Sequence, residues 1–268
     1  DLRFRLPERF GERLTGRTIE GLSRRAKYLL ARLDDGEVLI MHLGMTGRFA
    51  IDKANGAKTA PGDFVHGQSP AAEFGFPKHE HIVFHLGDGS AVRYSDVRRF
   101  GVMDLSPATE LDRHALFKGL GIEPLGGDLT PYWLARTLNG KTTPIKAALL
   151  DQRLIAGLGN IYVCEALHRA GLSPTRRAGS IATKTGRPNE KTAALVTSIT
   201  SVLRDAIRAG GSSLRDYRHT DGRLGRFQHR FRTYGRDGER CKTPACDGTI
   251  ERIAQGGRST FHCPICQK

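Results

Sequence analysis

The sequence predicts an α+β protein of two domains, β-rich at its start, helical beyond about residue 108 and closed by a cysteine-bearing β-hairpin. Three observations carry this. Short apolar runs broken by turn residues dominate residues 1–100. Apolar spacing of helical period takes over afterwards. Four of the five cysteines lie in the last 28 residues.

Val38-Leu-Ile-Met-His42 is a short apolar run behind the turn signal Asp34-Asp-Gly36, as a strand requires. His81–Leu86 and Ala91–Tyr94 flank Gly87-Asp-Gly89 and predict a hairpin. Residues 53–77 are rich in Gly, Ala and Pro without periodicity, the pattern of a mobile surface loop. Thr130–Leu138, Thr143–Leu150 and Ile161–Ala170 are short helix candidates. The strongest helix is Glu190–Ala209, where Leu195, Ile199, Val202 and Ala206 share a face and Gly210-Gly211 supplies the stop.

The chain has 268 residues and is 38% hydrophobic, enough for one large or two ordinary domains. No stretch approaches the roughly 20 apolar residues of a membrane helix. Charged residues recur from Asp1 to Arg13, so no signal-peptide pattern opens the chain. A soluble protein is expected. Lys and Arg number 42 against 28 acids, a net charge of +14. Such a balance favours a polyanionic partner, because each phosphate neutralised releases a condensed counterion. A merely basic surface is the plainer alternative. Between Arg204 and Arg240 arginines outnumber acids ten to five, which suits either a solvated loop or a DNA-facing one.

Cys241-x4-Cys246 and Cys263-x2-Cys266 form two close thiol pairs separated by sixteen residues. A tetrahedral zinc ion takes four soft ligands, and a hairpin between the pairs brings them together. Gly248–Ile253 and Ser259–His262 are its expected strands. Two disulfides are the alternative, disfavoured by the missing secretion signal and the odd cysteine count. His262 could replace a neighbouring Cys, but four thiolates are simpler. Cys164, inside an apolar helical stretch, is expected to be a buried small hydrophobe.

Four further segments stand out: Arg24-Arg-Ala-Lys-Tyr-Leu-Leu30, His42-Leu-Gly-Met-Thr-Gly47, Asp96-Val-Arg-Arg-Phe-Gly101 and Gly157-Leu-Gly-Asn-Ile-Tyr162. Singly, each has a plain reading: Lys27 as a solvated strand residue, Met45 and Phe100 as core, Asn160 as a helix N-cap. Together with the cysteine tail, in this order, they resemble the formamidopyrimidine-DNA glycosylases along almost the whole chain. Endonuclease VIII shares the general architecture, but the Arg24–Leu30 and Arg98–Gly101 segments resemble the formamidopyrimidine branch.

The resemblance implies an incomplete N-terminal β-sandwich (residues 1–107), a helical domain with a helix–two-turn–helix motif (108–228) and a zinc finger (229–268), with DNA in the cleft between the two main domains. It implies a monomer in the bacterial cytoplasm, associated with the nucleoid, carrying one structural Zn²⁺ and acting on duplex DNA with oxidised purines or abasic sites. The implied activity is that of a bifunctional glycosylase and abasic-site lyase working by base flipping, a Schiff base and β,δ-elimination. Lys27, His42, Asn160 and Arg258 match positions that hold phosphates around the lesion. Those of Lys27 and Arg258 are also credited with donating protons. Met45, Arg98 and Phe100 match the trio that enters the gap left by the extruded nucleotide, with Arg bonding the orphaned cytosine. Arg215 falls in the segment Ser212–Arg226 that matches a loop closing over the lesion.

The resemblance also marks a departure. Family members open on Pro-Glu-Leu-Pro-Glu, whose N-terminal amine attacks the deoxyribose, whereas this sequence begins about thirty residues into the pattern. Pro7-Glu8 is internal, and its amide nitrogen is no nucleophile. Taken literally, the chain is expected to be catalytically inactive, and its start suggests a fragment of a longer protein; a lesion-binding module without catalysis is the alternative to the enzyme reading. A generic zinc-ribbon protein is the remaining alternative, but it leaves the His42–Gly47 and Asp96–Gly101 segments unexplained.

Overall fold

A computed structural model describes residues 2–54, 77–212 and 225–268. The mobile loop expected at 53–77 lies almost wholly outside the described residues, as does Arg215. The chain divides into two compact units, residues 1–118 with 209–228, and residues 119–208 with 229–268.

In the first unit, a short helix α1 (Phe10–Leu14) precedes strands β1 (Ile19–Arg25), β2 (Tyr28–Leu33), β3 (Glu37–His42), β4 (Arg48–Asp52), β5 (Glu80–His85), β6 (Ala91–Ser95) and β7 (Val102–Pro107). They form two antiparallel sheets, ordered β1-β2-β3-β7 and β4-β6-β5. Side chains alternate across a strand, so one face of each sheet can be apolar. Ala31, Leu33, Leu39, Met41, Met103 and Leu105 of the first sheet do alternate, and they pack with Tyr94, Phe49, Ile82 and Phe84 of the second. This is the expected sandwich. Leu30, Val38, Ile40 and Val102 are buried as well, so β3 is apolar on both faces and reads as a continuous run. The expected hairpin is present as β5 and β6, with Gly89 at φ +80° in its turn.

The second unit holds α2 (Pro131–Leu138), α3 (Ile145–Leu150), α4 (Asn160–Arg169), α5 (Glu190–Arg208) and the hairpin β8 (Glu251–Gln255) with β9 (Arg258–His262). Thr130 caps α2 by accepting the Trp133 N–H at 3.1 Å, with Pro131 in the first turn. On α5, Leu195, Ile199, Val202 and Ala206 are all buried, each large aliphatic contributing roughly 1.5–3 kcal/mol. α5 packs on α4 and α2. Arg169 of α4 bridges to Asp205 of α5 at 2.7 Å. Among the described residues, no helix is long and apolar enough to cross a membrane.

Candidate functional site

In the sandwich unit, two connections carry the residues singled out in the sequence. Leu43–Gly47 links β3 to β4, and Asp96–Gly101 links β6 to β7. Met45 is 64% exposed and Phe100 41% exposed, so neither is core. The Arg98 guanidinium lies 4.4 Å from the Phe100 ring centre, and its Nη1 is 3.4 Å from Met45 Sδ. The three therefore form one exposed cluster. Backbone approach between the connections is close: a Cβ on Gly44, which sits at φ +66°, would lie 2.6 Å from the Phe100 carbonyl carbon. Only glycine fits there.

Lys27 is exposed in the turn between β1 and β2, behind Ala26 at φ 52°. The register places the next residue, Tyr28, opposite His42, with their rings 4.9 Å apart. Lys27 and His42 thus share one end of the sheet. The Gly44 N–H donates to His42 Nδ1 at 2.9 Å. Burial, then the Lys27 and Arg3 cations, holds the His42 pKa below the ordinary imidazole value. A neutral ring whose Nδ1 accepts carries its proton on Nε2.

In the helical unit, Gly159 caps α4 and Asn160 is its first residue, so the N-cap reading of Asn160 is displaced by one position. The Asn160 side chain is committed elsewhere, its Nδ2 donating to the Ser259 carbonyl at 2.9 Å. Its Oδ1 is buried with no partner among the described residues. Ser259 follows Arg258, which is exposed and opens β9 behind the turn glycines Gly256 and Gly257, at φ 54° and 72°. Beneath this strand sits Lys146, 1% exposed, whose Nζ donates to Thr260 Oγ1 at 2.6 Å. Burial chiefly lowers its pKa; buried Cys164 nearby opposes the shift and the Arg258 cation adds to it. Lys146, Leu150, Asp151, Gln255 and Arg258 line a surface cavity of about 250 Å³. Cys164 is 1% exposed, as expected.

The Sγ atoms of Cys241, Cys246, Cys263 and Cys266 all lie within 4.8 Å of one another, and none is in a disulfide. Cys241 and Cys266 are 3.7 Å apart, Cys246 and Cys263 3.6 Å. Four thiolates around an ion at about 2.3 Å stand roughly 3.8 Å apart, so the donor set fits a tetrahedral soft-metal centre. His262 is outside this group. The His168 ring of α4 meets the cluster, Nε2 being 3.3 Å from Cys241 Sγ. Burial first, then Arg232, Arg236 and Arg169, lowers its pKa to about 4, so the ring is neutral at pH 7. Such a partner would orient the Cys241 sulfur were it to ligate a metal.

Sequence reasoning placed Asp96 in a motif without giving it a role and passed over the helical residues Lys146, Glu165 and His168; all four are buried. The available signal was a lone charge inside an apolar helical run, as in Ile145-Lys-Ala-Ala-Leu-Leu150 and Val163-Cys-Glu-Ala-Leu167.

Known proteins bear on this arrangement. Residues 1–103 match the family model for the formamidopyrimidine-DNA glycosylase N-terminal domain, and residues 120–218 the one for the formamidopyrimidine-DNA glycosylase H2TH domain. A formamidopyrimidine-DNA glycosylase of Methylocella silvestris is 56% identical over 268 residues, covering 100% of this chain and 89% of that protein. One of Sinorhizobium fredii is 54% identical over 271 residues, covering 100% and 90%. Among solved structures, the Lactococcus lactis Fpg in complex with abasic-site DNA superposes with a TM-score of 0.77 at 33% identity, covering 96% of this chain and 84% of that one. A variant of it bound to Fapy-dG-containing DNA gives 0.77 at 34% identity, covering 97% and 86%.

Proposed function

This chain belongs to the formamidopyrimidine-DNA glycosylase family, and from that premise we propose that it is a base-excision repair enzyme, a glycosylase and abasic-site lyase that removes oxidised purines from duplex DNA in the cytoplasm. The observation that carries the reading is the exposed cluster of Met45, Arg98 and Phe100. Large apolar side chains held outside a core, with a cation beside them, suit a wedge that replaces an extruded base. Flipping costs a few kcal/mol, which wedge stacking and an Arg contact to the orphaned cytosine offset.

The remaining matched residues suit phosphate contacts. Lys27 and Arg258 are exposed cations, and the neutral His42 presents an Nε2–H donor. Asn160 opens α4, whose first N–H groups favour an anion. Lys27 and Arg258 also take the family's proton-donating positions. Cys241, Cys246, Cys263 and Cys266 would hold a zinc ion, which would supply no bond-breaking chemistry and would fix the hairpin that presents Arg258. Arg215 remains a contact proposed from the sequence match alone.

Borohydride trapping of the full-length protein tests the lyase. A covalent adduct with 8-oxoguanine duplex is expected, and its absence removes the Schiff-base step. Arg258→Ala should weaken binding to damaged and undamaged duplex alike and flatten the salt dependence by about 0.9 in log–log slope. An unchanged slope rules out a phosphate role. Phe100→Ala should keep undamaged-duplex affinity within about twofold but slow lesion extrusion, read with a fluorescent base-flipping reporter. A normal reporter response in that variant sinks the wedge assignment.

A further inference from the structure

Asp96 is 0% exposed, and a buried carboxylate is expensive unless its oxygens are satisfied. Its two oxygens collect donors from both connections. Oδ1 accepts the Thr46 hydroxyl and, at 3.3 Å, the Arg98 N–H. Oδ2 accepts the Gly101 N–H at 2.7 Å and the Tyr94 hydroxyl at 3.2 Å. The Arg98 N–H also reaches Thr46 Oγ1 at 3.1 Å, joining the connections a second time. The residue's own backbone is anchored too: its N–H donates to the His79 carbonyl at 3.0 Å, and its carbonyl lies 2.8 Å from His81 Nε2.

These attachment points coincide with the exposed cluster. Thr46 follows Met45, Gly101 follows Phe100, and Arg98 is held by its own N–H. One carboxylate therefore grips the chain within one residue of every member. The partners leave little slack. A Cβ on Gly101 would lie 1.7 Å from the Tyr94 hydroxyl, and one on Gly47 2.4 Å from it. Every donor is a backbone N–H or an uncharged hydroxyl, so the site spends its hydrogen bonds on geometry and neutralises no charge.

We propose that Asp96 is the positioning residue that sets Met45, Arg98 and Phe100 in their inserting arrangement before DNA arrives, and so governs both extrusion and discrimination of the opposite base. This rests on the reading of that trio as the group entering the gap. A preset wedge avoids ordering two loops during binding, and that ordering otherwise subtracts from the strength of the encounter. Because Arg98 hangs from the same carboxylate, its reach toward an orphaned base depends on Asp96 as well.

The test uses zinc-loaded full-length protein and duplexes with 8-oxoguanine opposite cytosine or adenine, with 2-aminopurine beside the lesion. Asp96→Asn keeps the volume and one acceptor but sets an N–H₂ group against either the Gly101 N–H or, if the amide flips, the Arg98 N–H. Its flipping rate and its cytosine-over-adenine preference are each expected to fall about tenfold or more, while undamaged-duplex affinity stays within about twofold. Thr46→Val removes one donor and should move both readouts the same way by about threefold, which decides the matter where Asp96→Asn fails to fold. Normal flipping and preference in these variants overturn the proposal. So does a loss of flipping that only parallels a loss of undamaged-duplex affinity and thermal stability. Phe100→Ala separates the two layers: if it too is silent, the trio reading falls and takes this proposal with it. If Phe100→Ala is impaired while Asp96→Asn and Thr46→Val behave normally, the trio stands and only the role of Asp96 is lost.

Discussion

Withholding the metal that the four cysteines would hold is expected to unfold the C-terminal hairpin and to weaken duplex binding by about tenfold or more. The buried cluster there consists of Cys241, Cys246, Cys263, Ile250 and Phe261, with Tyr234 and Cys266 packed against it. Ile250 and Phe261 are the only fully hydrocarbon members of its buried set, far too little to hold a two-stranded hairpin that is marginal on its own. Metal–thiolate binding, worth roughly 10–16 kcal/mol in zinc-finger peptides, would supply what the core lacks on the proposed zinc assignment. Without it, four sulfurs held 3.6–3.7 Å apart in pairs have no reason to stay together. The strand carrying Arg258 then loses its footing, and with it the Ser259 carbonyl that Asn160 grips. Chelation, or Cys263→Ser, should take the metal content from about one per chain to near zero, release hairpin amide protection and weaken duplex binding by tenfold or more. The sandwich amides should keep their protection, since Leu39, Met41, Tyr94 and Leu105 form a separate core. Metal-free protein that retains hairpin protection and duplex affinity contradicts the assignment.

What the sequence showed and what it hid follow from the range of the interactions. The cysteine pairs, the β5–β6 hairpin and α5 are encoded by local spacing, and each was legible. Helix α1 was not. It has five residues, and its N-cap, Arg9, sits in the left-handed region at φ 53° without a side-chain cap, so no start signal exists to be read. Asn160 read locally as a cap because Asn favours that position, but Gly159 takes it and frees Asn160 for Ser259, 99 residues away. Met45 and Phe100 carried no local sign of exposure; only the register of the two sheets sets their connections side by side. Lys146 and Glu165 resembled ordinary helical surface charges, since their partners lie 114 and 67–69 residues further on. Pattern finds the elements, and tertiary contacts choose which polar residues are buried.

Glu165 gives the second large expected effect, because it supports the segment leading into the hairpin. It is 0% exposed on α4, and its carboxylate accepts the backbone N–H groups of Arg232 at 2.9 Å, Thr233 at 2.9 Å and Tyr234 at 2.8 Å. Tyr234 then packs on Phe261 of β9, ring centres 4.8 Å apart, so the carboxylate indirectly fixes the strand that begins with Arg258. Glu165→Ala strands three backbone donors, each costing about 1–3 kcal/mol when buried and unpaired, for a total of roughly 3–5 kcal/mol after relaxation. Glu165→Gln keeps the volume and one oxygen. That oxygen can serve Thr233 and Tyr234, which share Oε1, while the amide nitrogen opposes the Arg232 N–H. Its cost should be about 1–3 kcal/mol, between wild type and Ala. Thermal unfolding should therefore order the proteins wild type, Gln, Ala, with Glu165→Ala lower in Tm by roughly 10 °C or more. Zinc retention and the Arg258-dependent share of duplex affinity should fall in the same order, while the base-flipping readouts of the sandwich unit do not follow it. If Gln and Ala destabilise equally, the count of accepted N–H groups is not what Glu165 contributes, and the strut it forms beneath the hairpin must work by packing alone.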